Sequence, residues 1–372
     1  MARLGDIFTI SSGGTPNKNE ESYYVNGTIP WVKTGDLKDK YVPKEIECIT
    51  EEGLNNSSAK LFPKDTVLVA MYGATIGACS ILPYEASTNQ ACAAFLPRED
   101  VFPEYLYYFL NSKKDQFVKD GVGGAQPNIS AGYLKSVNFD FVSLDEQKTI
   151  IDILNKVDSL ISLRKQQLSK LDELVKARFI EMFGNPVSND KGWHHQAMDK
   201  VAPSSAGRGD NSETVWLLNL DMVEAQTGRI LDYLYVEKEQ VGTSTCAFDE
   251  GNVLYSKLRP YLNKVVVPTK KGYCTTELVP LRPYAKLNRQ FLAYLLRSEA
   301  FVSFINEKVA GAKMPRVSMS VFRDFECILP PIVLQNEFAT FVEQVDKSKF
   351  EIQKSLEQLE TLKKALMQMY FK

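Results

Sequence analysis

Small and polar residues are concentrated in three turns of the first half of the chain, and each turn has a counterpart in the second half. The pairs are residues 11–16 with 204–209, 72–75 with 257–264, and 123–128 with 310–316. Small residues let a phosphate or a base approach the backbone closely. Arg and Lys can contact guanine in the major groove, and Asn or Gln can pair with the edge of adenine. These turns are therefore candidate contacts to nucleic-acid bases.

These turns, with polar positions beside them, supply the candidate contact residues. In the first half they are Ser12, Gly13, Thr15, Lys33, Tyr72, Thr75, Asn89, Gln126 and Asn128; in the second half they are Arg208, Lys257, Arg259, Tyr261, Asn263, Lys264, Lys313 and Arg316. The alternative for each residue is a solvated turn with no ligand. Tyr23, Tyr24 and Trp31 are expected in the core rather than as platforms for base stacking.

Catalytic and metal-binding equipment is not found in the sequence. The Gly-rich segment 121–124 continues with Ala-Gln-Pro instead of the Lys-Ser or Lys-Thr of a phosphate-binding loop. Pro330-Pro331 has Leu and Ile beside it, whereas amino-methyltransferases need Asp or Asn before two prolines and an aromatic residue after them. The six cysteines contain no CxxC pair, which argues against zinc. We expect a chain that is not an enzyme by itself and that holds no cofactor or metal.

The charge balance gives a mixed indication. A net charge of −2 and a pI of about 5.9 argue mildly against a protein that grips phosphates by itself. The stretch 255–297, however, has many basic residues and only one acid, Glu277. One face of the second half is therefore expected to be positive. No apolar run is long enough to span a bilayer and no signal peptide is evident, so a cytoplasmic location is expected.

The chain repeats itself at a separation of 188 residues. The first members of the repeated pairs are Pro127, Ser130, Gln147, Val157, Asp158, Leu168, Leu171, Leu174, Lys176, Ala177 and Phe183; the second are Pro315, Ser318, Gln335, Val345, Asp346, Leu356, Leu359, Leu362, Lys364, Ala365 and Phe371. Upstream, Trp31 corresponds to Trp216. A duplicated unit can close on itself around a pseudo-two-fold axis. Because the residues between these matches differ, we expect two similar modules with different targets.

Two long helices are predicted. Residues 144–183 contain neither Gly nor Pro, Ser143 and Glu146 form a capping-box pattern, and Gly184-Asn-Pro186 is a stop signal. A helix of this length is about 57 Å long. The second helix is expected to run from Pro331 to the end, because Pro is well tolerated at a first helical position.

Each long helix carries a seam with alternating four- and three-residue spacing, as in a coiled coil. The predicted seam residues are Leu154, Val157, Ile161, Leu168, Leu171, Val175, Val345, Ile352, Leu356, Leu359 and Leu366. The simplest partner of each helix is the other one, and antiparallel pairing gives the two-fold relation that the duplication invites. The alternative is that each helix only caps its own module.

The expected fold is α+β, with two mixed α/β target-recognition domains related by pseudo-two-fold symmetry and joined by an antiparallel coiled coil. The domains are 1–142 and 185–330, and the helical spacers are 143–184 and 331–372. Within the first domain we expect a helix over about 103–119 and strands over 67–71 and 137–142.

The chain resembles the DNA-specificity subunit of type I restriction-modification enzymes over essentially its whole length. The resemblance lies in ISSGGTP, GTIPWVKTGDL, GGAQPNIS and LDEQKTIIDILNKVD, and all but the first are echoed in order in the second half. The second half departs from the pattern at its start, where APSSAGRGD replaces the SGGTP sequence.

The resemblance implies that each recognition domain reads one half of a bipartite, asymmetric site in double-stranded DNA, and that the helix pair fixes the gap. It also implies two methyltransferase (M) subunits and two restriction/translocase (R) subunits as partners. The partners would use S-adenosylmethionine to methylate adenine, or ATP and Mg to cleave unmodified DNA. Two other functions remain: a coiled-coil scaffold that binds only proteins, which the acidic pI favours, and an autonomous DNA-modifying enzyme.

Overall fold

The computed structural model describes residues 2–122, 128–309 and 315–371, which divide into two units. The first unit is Met1–Arg164 with Ser355–Lys372, and the second is Lys165–Lys354. Each unit therefore combines one module with a part of each long helix. In the part of the chain that is described, no helix has the length and apolar character needed to cross a membrane. The division at 142, 184 and 330 stays a prediction.

Short apolar runs form the sheets of the first unit. Its strands are β1 Ala2–Arg3, β2 Ile10–Ser12, β3 Ile29–Val32, β4 Cys48–Ile49, β5 Leu61–Phe62, β6 Val67–Ala70, β7 Cys79–Ile81, β8 Ala86–Thr88, β9 Cys92–Phe95 and β10 Asn138–Phe139. They pair in the orders β2-β9-β6-β7, β4-β3-β8-β5 and β1-β10. Strand β6 is buried on both faces: Val67 and Val69 join one apolar cluster, and Leu68 and Ala70 join another.

The helices of the first unit are α1 Leu4–Ile7, α2 Glu51–Asn55, α3 Pro103–Ser112, α4 Lys114–Asp120, α5 Ala131–Ser136 and the long α6 Leu144–Phe183. Helix α3 packs against β6 and β7. The predicted single helix over 103–119 was wrong, because the chain breaks at Lys113 into α3 and α4. The predicted strand over 137–142 contains only the two paired residues of β10.

The second unit repeats this plan. Its strands are β11 His195–Ala197, β12 Thr214–Leu218, β13 Leu234–Glu237, β14 Thr245–Phe248, β15 Val253–Ser256, β16 Val265–Val266, β17 Gly272–Thr275, β18 Leu278–Leu281 and β19 Glu326–Ile328. Its helices are α7 Met198–Val201, α8 Arg289–Arg297, α9 Glu299–Glu307, α10 Met319–Arg323 and the long α11 Ile332–Tyr370, which begins in this unit. The strand orders are β13-β12-β17-β14, β16-β15-β18 and β11-β19.

The two units share strand directions as well as strand order. Strand β3 lies parallel to β8 and antiparallel to β4, and β12 lies parallel to β17 and antiparallel to β13. One edge differs: the counterpart of β2 is reduced to a single bridge between Ser204 and Leu281. This edge coincides with the segment where the sequence of the second half departs from that of the first.

The long helices run antiparallel within each unit, as predicted. In the first unit Asp158 of α6 pairs with Lys363 of α11 at 2.6 Å, and Arg164 donates to Ser355 at 3.3 Å. In the second unit Asp172 pairs with Lys349, and the Phe179 and Phe338 rings lie 5.5 Å apart. In both units, contacts that lie further along α6 involve residues that lie earlier in α11, as expected for antiparallel helices.

The seam and the module-capping alternative are both present in the structure. All eleven predicted seam residues are buried or half-buried, from Leu154 to Leu366. Helix ends also pack into the modules: Ile150 and Phe371 belong to the core of the first unit, and Phe183 and Phe338 to that of the second.

Two equivalent glutamines fasten the first turns of the long helices to their modules. Gln147 accepts a hydrogen bond from the Phe102 backbone N at 2.9 Å, and its Nε2 donates to the Asp100 and Val142 carbonyls at 3.0 Å each. Gln335 makes the same three contacts, with Asn288, Lys286 and Pro330. Both side chains are fully buried. Because the two glutamines make matching contacts, the repeat extends to individual hydrogen bonds.

Candidate nucleic-acid interface

The polar turns of the first unit meet along one edge, which we name the first rim and define by residues 12–15, 72–75, 89–91 and 128. The carboxyl ends of the parallel strands β3 and β8 lie side by side here, because the Asn89 backbone N donates to the Val32 carbonyl at 3.0 Å. The residue after β3 is Lys33. Lys33 and Asn89 are thus brought together by the sheet.

Close backbone packing holds residues 12–15 against this edge. The Gly14 N donates to the Thr88 carbonyl at 2.9 Å. A Cβ on Gly13 would lie 1.9 Å from that same oxygen, so this position requires glycine. Thr15 hydrogen-bonds to Gln90, next to Asn89. Ser12, at the end of β2, is half-buried.

The remaining turns of the first rim are joined by a continuous series of backbone hydrogen bonds. The Met71 N donates to the Ala91 carbonyl at 2.8 Å, and the Ile129 N donates to the Met71 carbonyl at 2.9 Å. Tyr72 and Asn128 consequently form a bridge, and both side chains are exposed. Thr75 ends a short 3₁₀ turn, Gly73–Thr75, and its Oγ1 donates to the Tyr72 carbonyl at 3.2 Å.

The second unit has the same framework, which we name the second rim and define by residues 257–261, 275–277 and 315–317. The Lys257 N donates to the Glu277 carbonyl at 3.0 Å, and the Val317 N donates to the Lys257 carbonyl at 2.9 Å. Leu258 and Arg316 form the bridge that corresponds to Tyr72 and Asn128. The backbone pattern is therefore retained while the side chains change.

Some of the candidate residues of the second rim are exposed to solvent. Arg259 and Tyr261 are exposed, and Lys257 is half-buried. Arg259 has a left-handed backbone with φ of 50°, and it precedes the 3₁₀ turn Pro260–Leu262. The Arg259 N donates to the Pro315 carbonyl at 2.8 Å, which fixes this turn against Arg316.

Arg208 lies on a separate turn that is fixed by Asp249. The Oδ2 of Asp249 accepts from the Arg208 backbone N at 2.8 Å and from Arg282 at 2.8 Å. The hydrogen bond from Arg282 is the main reason that the pKa of Asp249 is lowered to about 2. A carboxylate thus holds the turn, and the Arg208 side chain stays exposed.

Two candidate contacts are used inside the protein instead. Asn263 is buried, and its Nδ2 donates to the Arg297 carbonyl at 2.9 Å. The Nζ of Lys264 donates to the Leu220 carbonyl at 2.8 Å, and burial lowers the pKa of this amine. We therefore leave both residues out of the contact set. Gln126 and Lys313 lie outside the described residues.

The expected positive face is weaker than the sequence suggested. Lys271 pairs with Asp210 at 3.1 Å, and Arg282 pairs with Asp249. Arg297 is half-buried, and desolvation lowers the pKa of its guanidinium. In the first unit Lys33 pairs with Glu47 at 2.5 Å, and this hydrogen bond raises the lysine pKa. Several cations of the candidate set and its surroundings thus already have an anionic or internal partner.

Sequence reasoning missed two acidic residues that organise the interface. Asp249 holds the Arg208 turn, and Glu277 contacts Arg316 at 2.7 Å. The position of Glu277 as the only acid in a basic stretch was a usable signal. Trp31 is in the core as expected, where its Nε1 donates to the Gly14 carbonyl at 3.0 Å.

Nothing in the described ranges assembles into a metal site, since no group of three His, Cys, Asp or Glu residues has suitable geometry there. Burial raises the pKa of the Cys79 and Cys274 thiols to about 12, so both remain protonated near neutral pH. These two cysteines are therefore core residues and not nucleophiles.

Comparison with known proteins gives consistent matches over the whole chain. The family model of the type I restriction modification DNA specificity domain matches residues 1–173 and 211–363. The chain is 26% identical to the type I restriction enzyme MjaIX specificity subunit of Methanocaldococcus jannaschii, covering 99% of this chain and 91% of that protein. It is 28% identical to the EcoR124I/EcoR124II specificity subunit of Escherichia coli, covering 47% of this chain and 45% of that protein.

Two solved structures share the fold. The S subunit of a type I restriction-modification system from M. genitalium aligns with a TM-score of 0.55 at 14% identity, covering 98% of this chain and 94% of that one. A chain from a study of complex assembly and conformational transition of the type I R-M system gives 0.61 at 16% identity, covering 100% and 97%. With the family model matching most of the sequence, the chain belongs to the type I restriction-modification specificity subunits, and it is a non-catalytic subunit with a DNA-specificity role.

Proposed function

We propose that the two rims each read one half of a bipartite, asymmetric sequence in double-stranded DNA. The observation that supports this most directly is the shared backbone framework with different side chains at corresponding positions. Tyr72 and Asn128 in the first rim correspond to Leu258 and Arg316 in the second. A common frame with different hydrogen-bonding groups suits two related but unequal targets.

The proposed base contacts follow from side-chain chemistry. Asn128 has an amide that can pair with adenine, and Arg316 has a guanidinium that can pair with guanine. Exposed Tyr72, Arg208 and Tyr261 would add phosphate or sugar contacts that fix the register.

The catalytic steps are assigned to partner subunits. We propose that two methyltransferase subunits and two restriction/translocase subunits assemble with this chain, using S-adenosylmethionine, ATP and Mg. The partners would methylate adenine within the recognised site or cleave DNA that lacks the mark. The near-neutral charge of this chain is consistent with partners that share the phosphate contacts. Cellular DNA as the substrate makes a cytoplasmic location part of the proposal.

A module exchange tests the proposed function. Residues 1–142 are replaced by the corresponding segment of another specificity subunit with a known site, and the chain is expressed with its methyltransferase partners. Methylome sequencing should show one half-site changed and the other kept, because each rim would act independently. Changes in both half-sites, or no sequence-dependent methylation by the unaltered chain, would contradict the proposal. A pure protein scaffold would give the second result.

A further inference from the structure

We propose that Glu277 is a positioning residue that orients Arg316 to read a guanine in the half-site of the second rim. This inference rests on the DNA-binding function proposed above and names one specificity determinant within it. The family comparisons say nothing about either residue.

The backbone around Arg316 is held from both sides. The Arg259 N donates to the Pro315 carbonyl at 2.8 Å, and the Val317 N donates to the Lys257 carbonyl at 2.9 Å. Arg316 itself bridges to Leu258. With its backbone fixed, Arg316 can change the direction of its guanidinium only through its side-chain torsions.

Glu277 removes much of that remaining freedom. Its Oε1 accepts a hydrogen bond from Nη2 of Arg316 at 2.7 Å, a charge-assisted contact. The Arg316 side chain is still 57% exposed, whereas the Glu277 side chain is 24% exposed. The carboxylate therefore binds the guanidinium on the side that faces the protein. Because Arg has five N–H donors, enough remain outward for a two-bond contact with guanine O6 and N7.

Glu277 is itself rigidly placed. Its carbonyl accepts from the Lys257 N at 3.0 Å, within the framework of the second rim. Its Oε2 is buried without a hydrogen-bond partner in the described part of the chain. An unpaired buried carboxylate oxygen costs free energy, so this arrangement is poorly explained as a stabilising device. The contact of Oε1 with the guanidinium instead favours a role in orienting Arg316.

In the first rim, the position that corresponds to Glu277 has no carboxylate. The carbonyl that accepts from the Met71 N belongs to Ala91, which is the counterpart of Glu277, and Asn128 is the counterpart of Arg316. A short Asn side chain has few torsions and needs no charged support, whereas a long Arg side chain loses much rotational entropy on binding. The carboxylate is thus found in the rim that presents arginine, and alanine in the rim that presents asparagine.

The test uses the full chain, purified with its methyltransferase subunits, and a randomised duplex DNA library. The variants are Glu277→Ala, Glu277→Gln and Arg316→Ala, and the matched control is Glu239→Ala, an exposed acid of the same unit away from the second rim. Selected DNA is sequenced, and thermal midpoints and the salt dependence of binding are measured for each protein.

The wild-type complex should select a guanine at one position of one half-site. Arg316→Ala should lower that preference by about ten- to a hundred-fold. Glu277→Ala should lower it by about five- to ten-fold, and Glu277→Gln by less, because the amide oxygen still accepts a hydrogen bond. All other positions, the salt slope and the Glu239→Ala profile should be unchanged.

Several results would overturn the inference. Undiminished guanine preference in Glu277→Ala, or a loss of affinity that is equal for all sequences, would show that Glu277 does not position Arg316. If Glu277→Ala also has a lower thermal midpoint, the guanine preference of the size-matched Glu277→Gln variant is compared with that of wild type. An equal preference in the two proteins would count against the inference. Failure of the wild-type complex to select any sequence would instead refute the proposed function itself.

Discussion

At the scale of single residues, buried polar side chains carry the clearest structural information in this chain. Gln147 and Gln335 are fully buried, and each satisfies one backbone N–H and two carbonyls at the start of a long helix. The bonded backbone groups all lie outside the strands of the sheets. A glutamine amide supplies a donor and an acceptor together, and therefore replaces backbone pairing at this junction.

Replacing Gln335 by alanine is expected to lower the free energy of unfolding by about 2–4 kcal/mol. The change removes three hydrogen bonds and leaves the Asn288 N–H and two carbonyls without protein partners. Thermal unfolding should show a clear decrease in midpoint. Gln344→Ala, at an exposed position of the same helix, is the control and should change the midpoint little. Equal effects of the two changes would contradict this role.

Asp249 gives a prediction about pH. Its pKa is lowered in the folded protein to about 2, mainly by the hydrogen bond from Arg282, so its contribution to stability is complete above its unfolded pKa near 4. That contribution is lost as the pH falls from about 4 towards 2. Asp249→Asn should therefore destabilise the protein at pH 7 by about 1–2 kcal/mol, allowing for solvent screening. The stability difference from wild type should shrink in acid, and a constant difference would count against this cause.

Single contact residues were harder to predict from sequence than the fold. Asn263 has a polar side chain in a basic stretch, yet its φ of 51° and its bond to the Arg297 carbonyl make it structural. A left-handed position with an internal amide partner is not visible in a linear sequence. The Glu277–Arg316 contact was missed for a related reason: its members lie 39 residues apart and meet only through strand pairing.

At the scale of elements, the two long helices were predicted almost to the residue. Helix α6 begins at Leu144 and ends at Phe183, because Ser143 caps it and Gly184 adopts a left-handed φ of 73°. Such end signals are local and can be read directly. The break between α3 and α4 has no comparable signal, since Lys113 is neither Gly nor Pro; packing of Phe117 into the core accompanies it.

Within α11, two leucines six residues apart test the seam. Leu356 is 6% exposed and Leu362 is 47% exposed, and both belong to the first unit. Leu356→Ala should cost about 2–3 kcal/mol, because a buried leucine loses transfer energy and leaves a cavity. Leu362→Ala should change stability by about 0.5 kcal/mol or less. Thermal unfolding of the full chain measures both, and similar decreases would show that the seam does not stabilise this unit.

At the scale of the whole molecule, the repeat is what sequence reasoning captured best. Corresponding strands, the Gln147 and Gln335 contacts and the two rims all recur. The chain passes from the first unit to the second through α6 and returns through α11. Both connections are helical. Under the proposed function, we expect a change in the length of both helices to change the gap between the half-sites and not the half-sites themselves.

Lengthening both helices together tests this expectation. Duplicating residues 165–168 in α6 and 353–356 in α11 places four extra residues at equivalent positions of the repeat. Four helical residues add about 6 Å and rotate the chain by about 40° beyond a full turn. One base pair of B-DNA turns by about 35°. The added rotation is close to the twist of one base pair, and the added rise is close to that of two, since base pairs are about 3.4 Å apart. An insertion of four residues is compatible with a seam of mixed three- and four-residue spacing.

Methylome sequencing of cells that express the lengthened chain with its partner subunits should show both half-sites unchanged and the gap longer by about one or two base pairs. A chain with the duplication in α6 alone is the control: its seam is out of register, so site-specific methylation should be lost or strongly reduced. Altered half-site sequences would mean that the helices contact bases, and an unchanged gap in the doubly lengthened chain would mean that they do not set the spacing. A single, longer gap would support a rigid spacer over a flexible tether, because a tether would broaden the range of accepted gaps without shifting it.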